Sequence, residues 1–119
     1  SKVGGFDENI FLYHEDDDLS LRLKNTVGPL MYCPQANVIH EGGNSSLRNP
    51  KTAILKGFHM GKSRVYAMKK YNINNYKVKC LLFAIIQLMS IEMLFSKRKR
   101  AKYLAFFKGV KEELKEDKV

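Results

Sequence analysis

The stretch GGFDENIFLYHEDDDLSLRLKNTVGPLMYCPQANVIHEGGNSS, residues 4–46, decides how this chain is read. At its centre, EDDDLSLRLKNTVGP has the marks of a short helix. Four acidic residues crowd the first turn, where the positive end of a helix dipole favours them. Leu19 and Leu23 share one face, and Asp18 can pair with Arg22 one turn on. Gly28 and Pro29 then end the helix. Downstream, residues 30–33 and 36–40 are short β-prone runs broken by Pro34. That pattern places His40 at a strand end, just before the loop EGGNSS. The expectation for residues 1–48 is therefore a small α/β part, with short strands and one acidic helix.

Outward from this centre the chain turns helical. Asn49-Pro50 is an N-cap followed by proline at the first helical position. Ile54, Phe58, Gly61, Val65 and Met68 recur at helical spacing until Asn72, Asn74 and Asn75 interrupt. A further helical run begins at Tyr76. Its segment CLLFAIIQLMSIEMLF, residues 80–95, is broken by Gln87, Ser90 and Glu92, and it falls short of the roughly 20 apolar residues a membrane span needs. KRKR at 97–100 follows directly, and Tyr103, Phe107, Val110 and Leu114 then form another stripe with lysines opposite. Two or three helices are predicted to fill most of residues 50–116.

Charge divides the chain in the same way. Residues 1–50 hold four Lys/Arg against seven Asp/Glu, and residues 51–119 hold seventeen against five. An acidic site joined to a basic surface suits a partner rich in phosphate, whether nucleic acid or lipid headgroup. Solvated lysine-rich helix faces are the plain alternative. Cys33 and Cys80 form no C-x-x-C pair and are expected to be buried thiols, with no disulfide framework or zinc site. The opening carries no signal peptide and no initiator methionine, for which a piece of a longer chain is the simplest reading and N-terminal processing the alternative.

An acidic cluster at a helix start, followed by a histidine at a strand end, could supply a general base and one metal ligand. The order of these elements resembles the family 2 glycosyltransferases, in particular their rhamnosyltransferase-like branch. The resemblance rests on Gly4-Gly5-Phe6-Asp7-Glu8, the apolar run from Phe11 to Tyr13, Glu15-Asp16-Asp17-Asp18-Leu19, Arg22, Gly28, Pro34-Gln35-Ala36-Asn37-Val38-Ile39-His40, and residues 42–46. It covers about 45 residues in unbroken order, more specific than any one motif. It implies the C-terminal part of a GT-A (nucleotide-diphospho-sugar transferase) fold over residues 1–48, followed by a basic, amphipathic helical region over residues 49–119.

By that resemblance Asp16 is the catalytic base of an inverting sugar transfer. Glu15 and Asp18 orient it or contact the acceptor, and Gly4 and Gly5 let the backbone approach the acceptor or donor sugar closely. His40 helps bind Mg²⁺ or Mn²⁺ in the intact enzyme. Each residue has a plainer role open to it: the acidic run as a helix cap, His40 as a structural histidine, His14 as a surface histidine beside the acids. The acidic run is not an EF-hand, since the glycine at loop position six and the glutamate at twelve are missing.

Two departures limit the reading. The D-x-D motif and the nucleotide-binding β-α-β units of the family's N-terminal half are absent, and with no Trp there is no Q-x-x-R-W motif of processive synthases. The resemblance thus implies a fragment, inactive alone, of an enzyme that moves one sugar from a nucleotide-diphosphate sugar to a glycan or lipid-linked acceptor in bacterial cell-surface polysaccharide synthesis. Its expected place is cytoplasmic, at the inner face of the bacterial plasma membrane, with residues 77–115 against anionic lipid. The alternative for those helices is packing on the catalytic domain or on a second subunit of a homo-oligomer. The rival function is a basic helical adaptor module binding nucleic acid or membrane without catalysis. It leaves the GGFDE-to-HEGG order unexplained, so nucleic acid is not the expected partner.

Overall fold

The computed structural model describes residues 2–39 and 49–116. Among the described residues five helices follow one another: α1 (Glu15–Thr26), α2 (Pro50–Lys70), α3 (Tyr76–Leu88), the single turn α4 (Glu92–Phe95) and α5 (Lys97–Glu116). Their ends follow local chemistry. The Asn49 side chain accepts a hydrogen bond from the Thr52 amide at 2.8 Å and caps α2, with Pro50 behind it. Asn72 and Asn75 take left-handed backbone angles between α2 and α3, which asparagine tolerates better than most residues. Gly28, at φ 146°, closes off α1.

No strand is present among the described residues, and this corrects the α/β expectation and its GT-A-like sheet. Residues 30–39 run without regular structure around a turn in which the Ala36 amide donates to the Cys33 carbonyl. Their side chains are open to solvent, Ile39 at 96% and Met31 at 86%. The reason is that β-propensity measures fit to a pleated, half-buried surface. Without a neighbouring strand to take the backbone hydrogen bonds, these runs have no ladder to join. Cys33 shares their fate. It is exposed, while Cys80 is buried as expected, and both thiols are free.

The core lies where α2, α3 and α5 meet, around Val65, Cys80, Ala84, Phe106 and Val110. Three glycines set how closely α2 and α5 approach. A Cβ on Gly57 would lie 2.3 Å from the Lys102 carbonyl oxygen, one on Gly61 2.3 Å from that of Phe106, and one on Gly109 2.1 Å from that of Phe58. Contacts that climb both helices together make α2 and α5 parallel, so α3 is the return crossing between them. Missing side chains let the two backbones touch, as small residues do at other close helix crossings. Lys62 extends the joint: its ammonium reaches Glu113 at 3.3 Å and Glu116 at 3.2 Å.

Candidate active site on the acidic helix

Residues 2–26 are held on α2 by a network of charges. Lys70, in the last turn of α2, donates to Asp7 and to Asp18, each at 2.6 Å. Tyr71 donates to Asp18 at 2.6 Å and Tyr66 to Asp7 at 3.0 Å. Arg22 completes the set: its Nε donates to Asp18 at 2.8 Å, and its two terminal nitrogens donate to the carbonyls of Val3 and Gly5. Ser63 donates to the Leu12 carbonyl at 2.9 Å. The Asp18–Arg22 pair was legible from the four-residue spacing. Nothing local in the sequence marks Ser63, Tyr66, Lys70 and Tyr71 as members of this network, because their partners lie 51 to 63 residues away.

The electrostatics follow from this geometry. Burial pushes the Asp18 carboxyl up, but hydrogen bonds from Lys70, Tyr71 and Arg22 outweigh it and leave the group below the usual carboxylate range. The Lys70 hydrogen bond holds Asp7 far below that range against the opposing effect of burial. Burial favours neutral Lys70, yet the two carboxylates win and raise it well above an ordinary lysine. All three groups stay charged across neutral pH.

The expected site residues therefore separate. Asp18 is 1% exposed and surrounded by protein donors, so its structural place is an anchor under α1. Asp16 and Asp17 stand exposed on the first turn of the same helix. Asp17 pairs with His14 Nδ1 at 3.2 Å, whereas Asp16 meets no hydrogen-bond partner among the described residues. Glu15 is half-buried, with Oε2 enclosed and lacking a partner among those residues. Gly4 has φ +75°, and a Cβ on either Gly4 or Gly5 would meet open space. Arg22 links the Gly5 carbonyl to Asp18, which brings the glycine pair and α1 into one rigid unit. His40 lies outside the described residues.

Two consecutive residues with positive φ, Tyr13 at 65° and His14 at 70°, lead into α1. Side chains other than glycine resist that conformation by about 1–2 kcal/mol each. Such strain persists where surrounding contacts over-determine it, and here the Ser63–Leu12 bond and the salt-bridged base of α1 do so. The result aims the first turn outward beside a groove of about 580 Å³ lined by His14, Asp17, Leu21, Arg64, Met68 and Tyr71, among others. Among the described residues no three His, Cys, Asp or Glu side chains converge as metal ligands. The described part of the chain does not itself form a metal cage.

No family model matches the chain, and no solved structure does. Two curated proteins do, from Mycobacterium tuberculosis strains CDC 1551 / Oshkosh and ATCC 25618 / H37Rv. Each is named N-acetylglucosaminyl-diphospho-decaprenol L-rhamnosyltransferase and is 45% identical over 53 residues, covering 44% of this chain. The chain spans 17% of the length of these relatives. The match supports a glycosyltransferase-like relation for part of the chain.

Proposed function

We infer that this chain is the acceptor-side portion of an inverting glycosyltransferase of bacterial cell-surface polysaccharide synthesis, with Asp16 as its base. The observation that carries the reading is the placement of Asp16. It is a solvent-facing carboxylate, without a partner among the described residues, on a helix whose neighbouring acid, Asp18, is locked to α2. The 45% identity to a rhamnosyltransferase over 53 residues supports the same class. In the proposed step an acceptor hydroxyl attacks the anomeric carbon of the donor, and the bond to the nucleotide diphosphate breaks, its electron pair leaving on the diphosphate oxygen. Asp16 takes the hydroxyl proton as the new C–O bond forms. Asp18, Lys70 and Arg22 act at one remove, fixing the angle at which α1 presents that carboxylate.

The donor, a nucleotide-diphosphate sugar, and the Mg²⁺ or Mn²⁺ implied by the resemblance belong in this proposal to parts of the enzyme beyond this chain. A lipid-linked acceptor fits the proposal, since the matched relatives' names specify a diphospho-decaprenol compound, and the inner face of the plasma membrane is the location proposed with it. The test is Asp16→Asn in the whole enzyme that carries this chain. Turnover should fall by about 10²–10⁴-fold with donor binding retained. Wild-type turnover in a folded Asp16→Asn enzyme would return the acidic run to the role of a helix cap.

A further inference from the structure

The apolar run that ends α3 and forms α4 has an outer surface that nothing among the described residues covers. Leu82, Ile85, Ile86, Met89, Ile91, Leu94 and Phe95 are all exposed, Leu94 at 72% and Phe95 at 84%. In the sequence the run is interrupted by Gln87, Ser90 and Glu92. In the structure two of these turn toward protein and the third, Glu92, is paired at the surface. Gln87 Oε1 and Ser90 Oγ are enclosed, and Glu92 is taken by Lys99 and Tyr103 of α5. Arg100 donates to the Met93 carbonyl at 3.0 Å and pins α4 further. Gln87 and Ser90 are thus turned inward and the apolar side chains outward, against the usual order of a water-facing surface.

Charge says what covers this surface. Between residues 76 and 111 there are nine Lys/Arg and one acid, Glu92, which is already neutralised. The basic residues flank the apolar run, with Lys77 and Lys79 before it and residues 97–100 after it. They also crowd one another: burial and the nearby charges of Arg98, Lys56 and Lys99 depress Lys102 below an ordinary lysine. Protein interfaces are depleted in lysine, whereas an apolar strip flanked by clustered Lys/Arg fits the boundary between acyl chains and anionic headgroups. No helix among the described residues is long and apolar enough to cross a membrane, so the segment would lie in the interface plane.

We propose that the α3–α4 corner seats this chain on an anionic bilayer, with Leu82, Ile86, Met89, Leu94 and Phe95 in the headgroup–acyl boundary and the flanking lysines and arginines on lipid phosphates. The surface is separate from the acidic helix, and its test does not depend on catalysis. The full 119-residue chain is sedimented with vesicles of phosphatidylcholine containing phosphatidylglycerol, and with phosphatidylcholine alone, at low and high salt. Binding should require phosphatidylglycerol and weaken with salt. Each neutralised basic residue should lower partitioning by about fivefold, so Lys97→Gln with Arg98→Gln should lower it by about 25-fold. Leu94→Ser with Phe95→Ser alters exposed side chains only and should also release the chain, with its helical circular dichroism intact. Phe95→Trp supplies a depth probe, whose emission should shift blue and be quenched by brominated acyl chains. Three results overturn the proposal: no binding to anionic vesicles, equal affinity for a single-stranded oligonucleotide, or dimerisation in lipid-free solution that the Leu94→Ser/Phe95→Ser pair abolishes.

Discussion

Lys70 Nζ stands 2.6 Å from Asp18 and 2.6 Å from Asp7, so one ammonium joins the acidic helix and the segment before it to the end of α2. Asp18 is sealed in protein while its near neighbour Asp16 faces solvent. The arrangement anchors one face of α1 and leaves the other face free for chemistry.

Removing the ammonium should expose its worth. Lys70→Met leaves two carboxylates without their shared partner, one of them fully buried, and breaking such a pair typically costs about 3–5 kcal/mol. The value here should fall at or below the lower end, because Tyr66, Tyr71 and Arg22 still serve the two acids. Urea titration of the chain and of Lys70→Met, followed by circular dichroism, gives the difference directly. A change under about 0.5 kcal/mol, the scale of an ordinary surface substitution, would show that the network is not holding α1.

Acid should act through the same groups. Asp7 and Asp18 have folded pKa values below those of the unfolded chain, so the stability they contribute is complete above the unfolded value. It is lost as pH falls through the range between about 4, where a free Asp titrates, and the lower folded values. Lys70 works on the other side. Its raised pKa contributes stability below about 10.4 that fades as pH climbs past that point. Melting temperature measured from pH 6 down to pH 2 should drop mainly below about pH 4, and Asp7→Asn should flatten that drop. An acid limb unchanged in Asp7→Asn would mean that other carboxylates govern it.

Glycine substitutions should divide by place. Gly61→Ala sets a methyl 2.3 Å from the Phe106 carbonyl oxygen, and the backbone of α5 must move to admit it. Overpacking of this kind costs about 1–3 kcal/mol, and Gly109→Ala, at 2.1 Å from the Phe58 carbonyl oxygen, should behave alike. Gly5→Ala meets open space and should leave the melting temperature almost unchanged. In the whole enzyme, however, Gly5→Ala should raise KM if the sugar approaches that backbone closely. Equal melting temperatures for Gly61→Ala and Gly5→Ala would refute the close α2–α5 crossing.

The acidic run offers a three-way contrast within one turn of helix. Asp17→Asn should change turnover in the whole enzyme little, since its carboxylate only meets His14 at the surface. Asp18→Asn should lower stability, because an amide cannot replace the carboxylate that accepts from Lys70, Tyr71 and Arg22. Asp16→Asn should lower turnover and spare stability. Side-by-side kcat and thermal melts separate the roles, and a common loss of both properties in all three variants would point to simple misfolding.

The cap of α2 gives a local check. Asn49→Ala removes the oxygen that receives the Thr52 amide and should cost about 1 kcal/mol, whereas Asn49→Asp should keep most of it. Chemical denaturation midpoints at unchanged slope will measure both.

The limits of α2 were legible in the sequence because their causes are local. The breaks that end α3 at Leu88 and start α5 at Lys97, making four helices where two or three were expected, fall inside a stretch that reads as one helical run. Asn49-Pro50 starts α2, the asparagines after Tyr71 end it, and the four-residue step from Asp18 to Arg22 makes an ion pair. The acidic first turn was legible for the same reason, as a pattern within one stretch. What the sequence could not determine is where residues far apart meet. Nothing in it joins Asp7 and Asp18 to Lys70, or Gly61 to the Phe106 carbonyl, across some 45 to 63 positions. Nor could it say that residues 30–39 would stay unpaired, since a strand exists only through its neighbour's hydrogen bonds. The tertiary structure also decided which acids are buried and which are free. Burial depends on what packs against a side chain, and that is not a property of the residue or of its position in a motif.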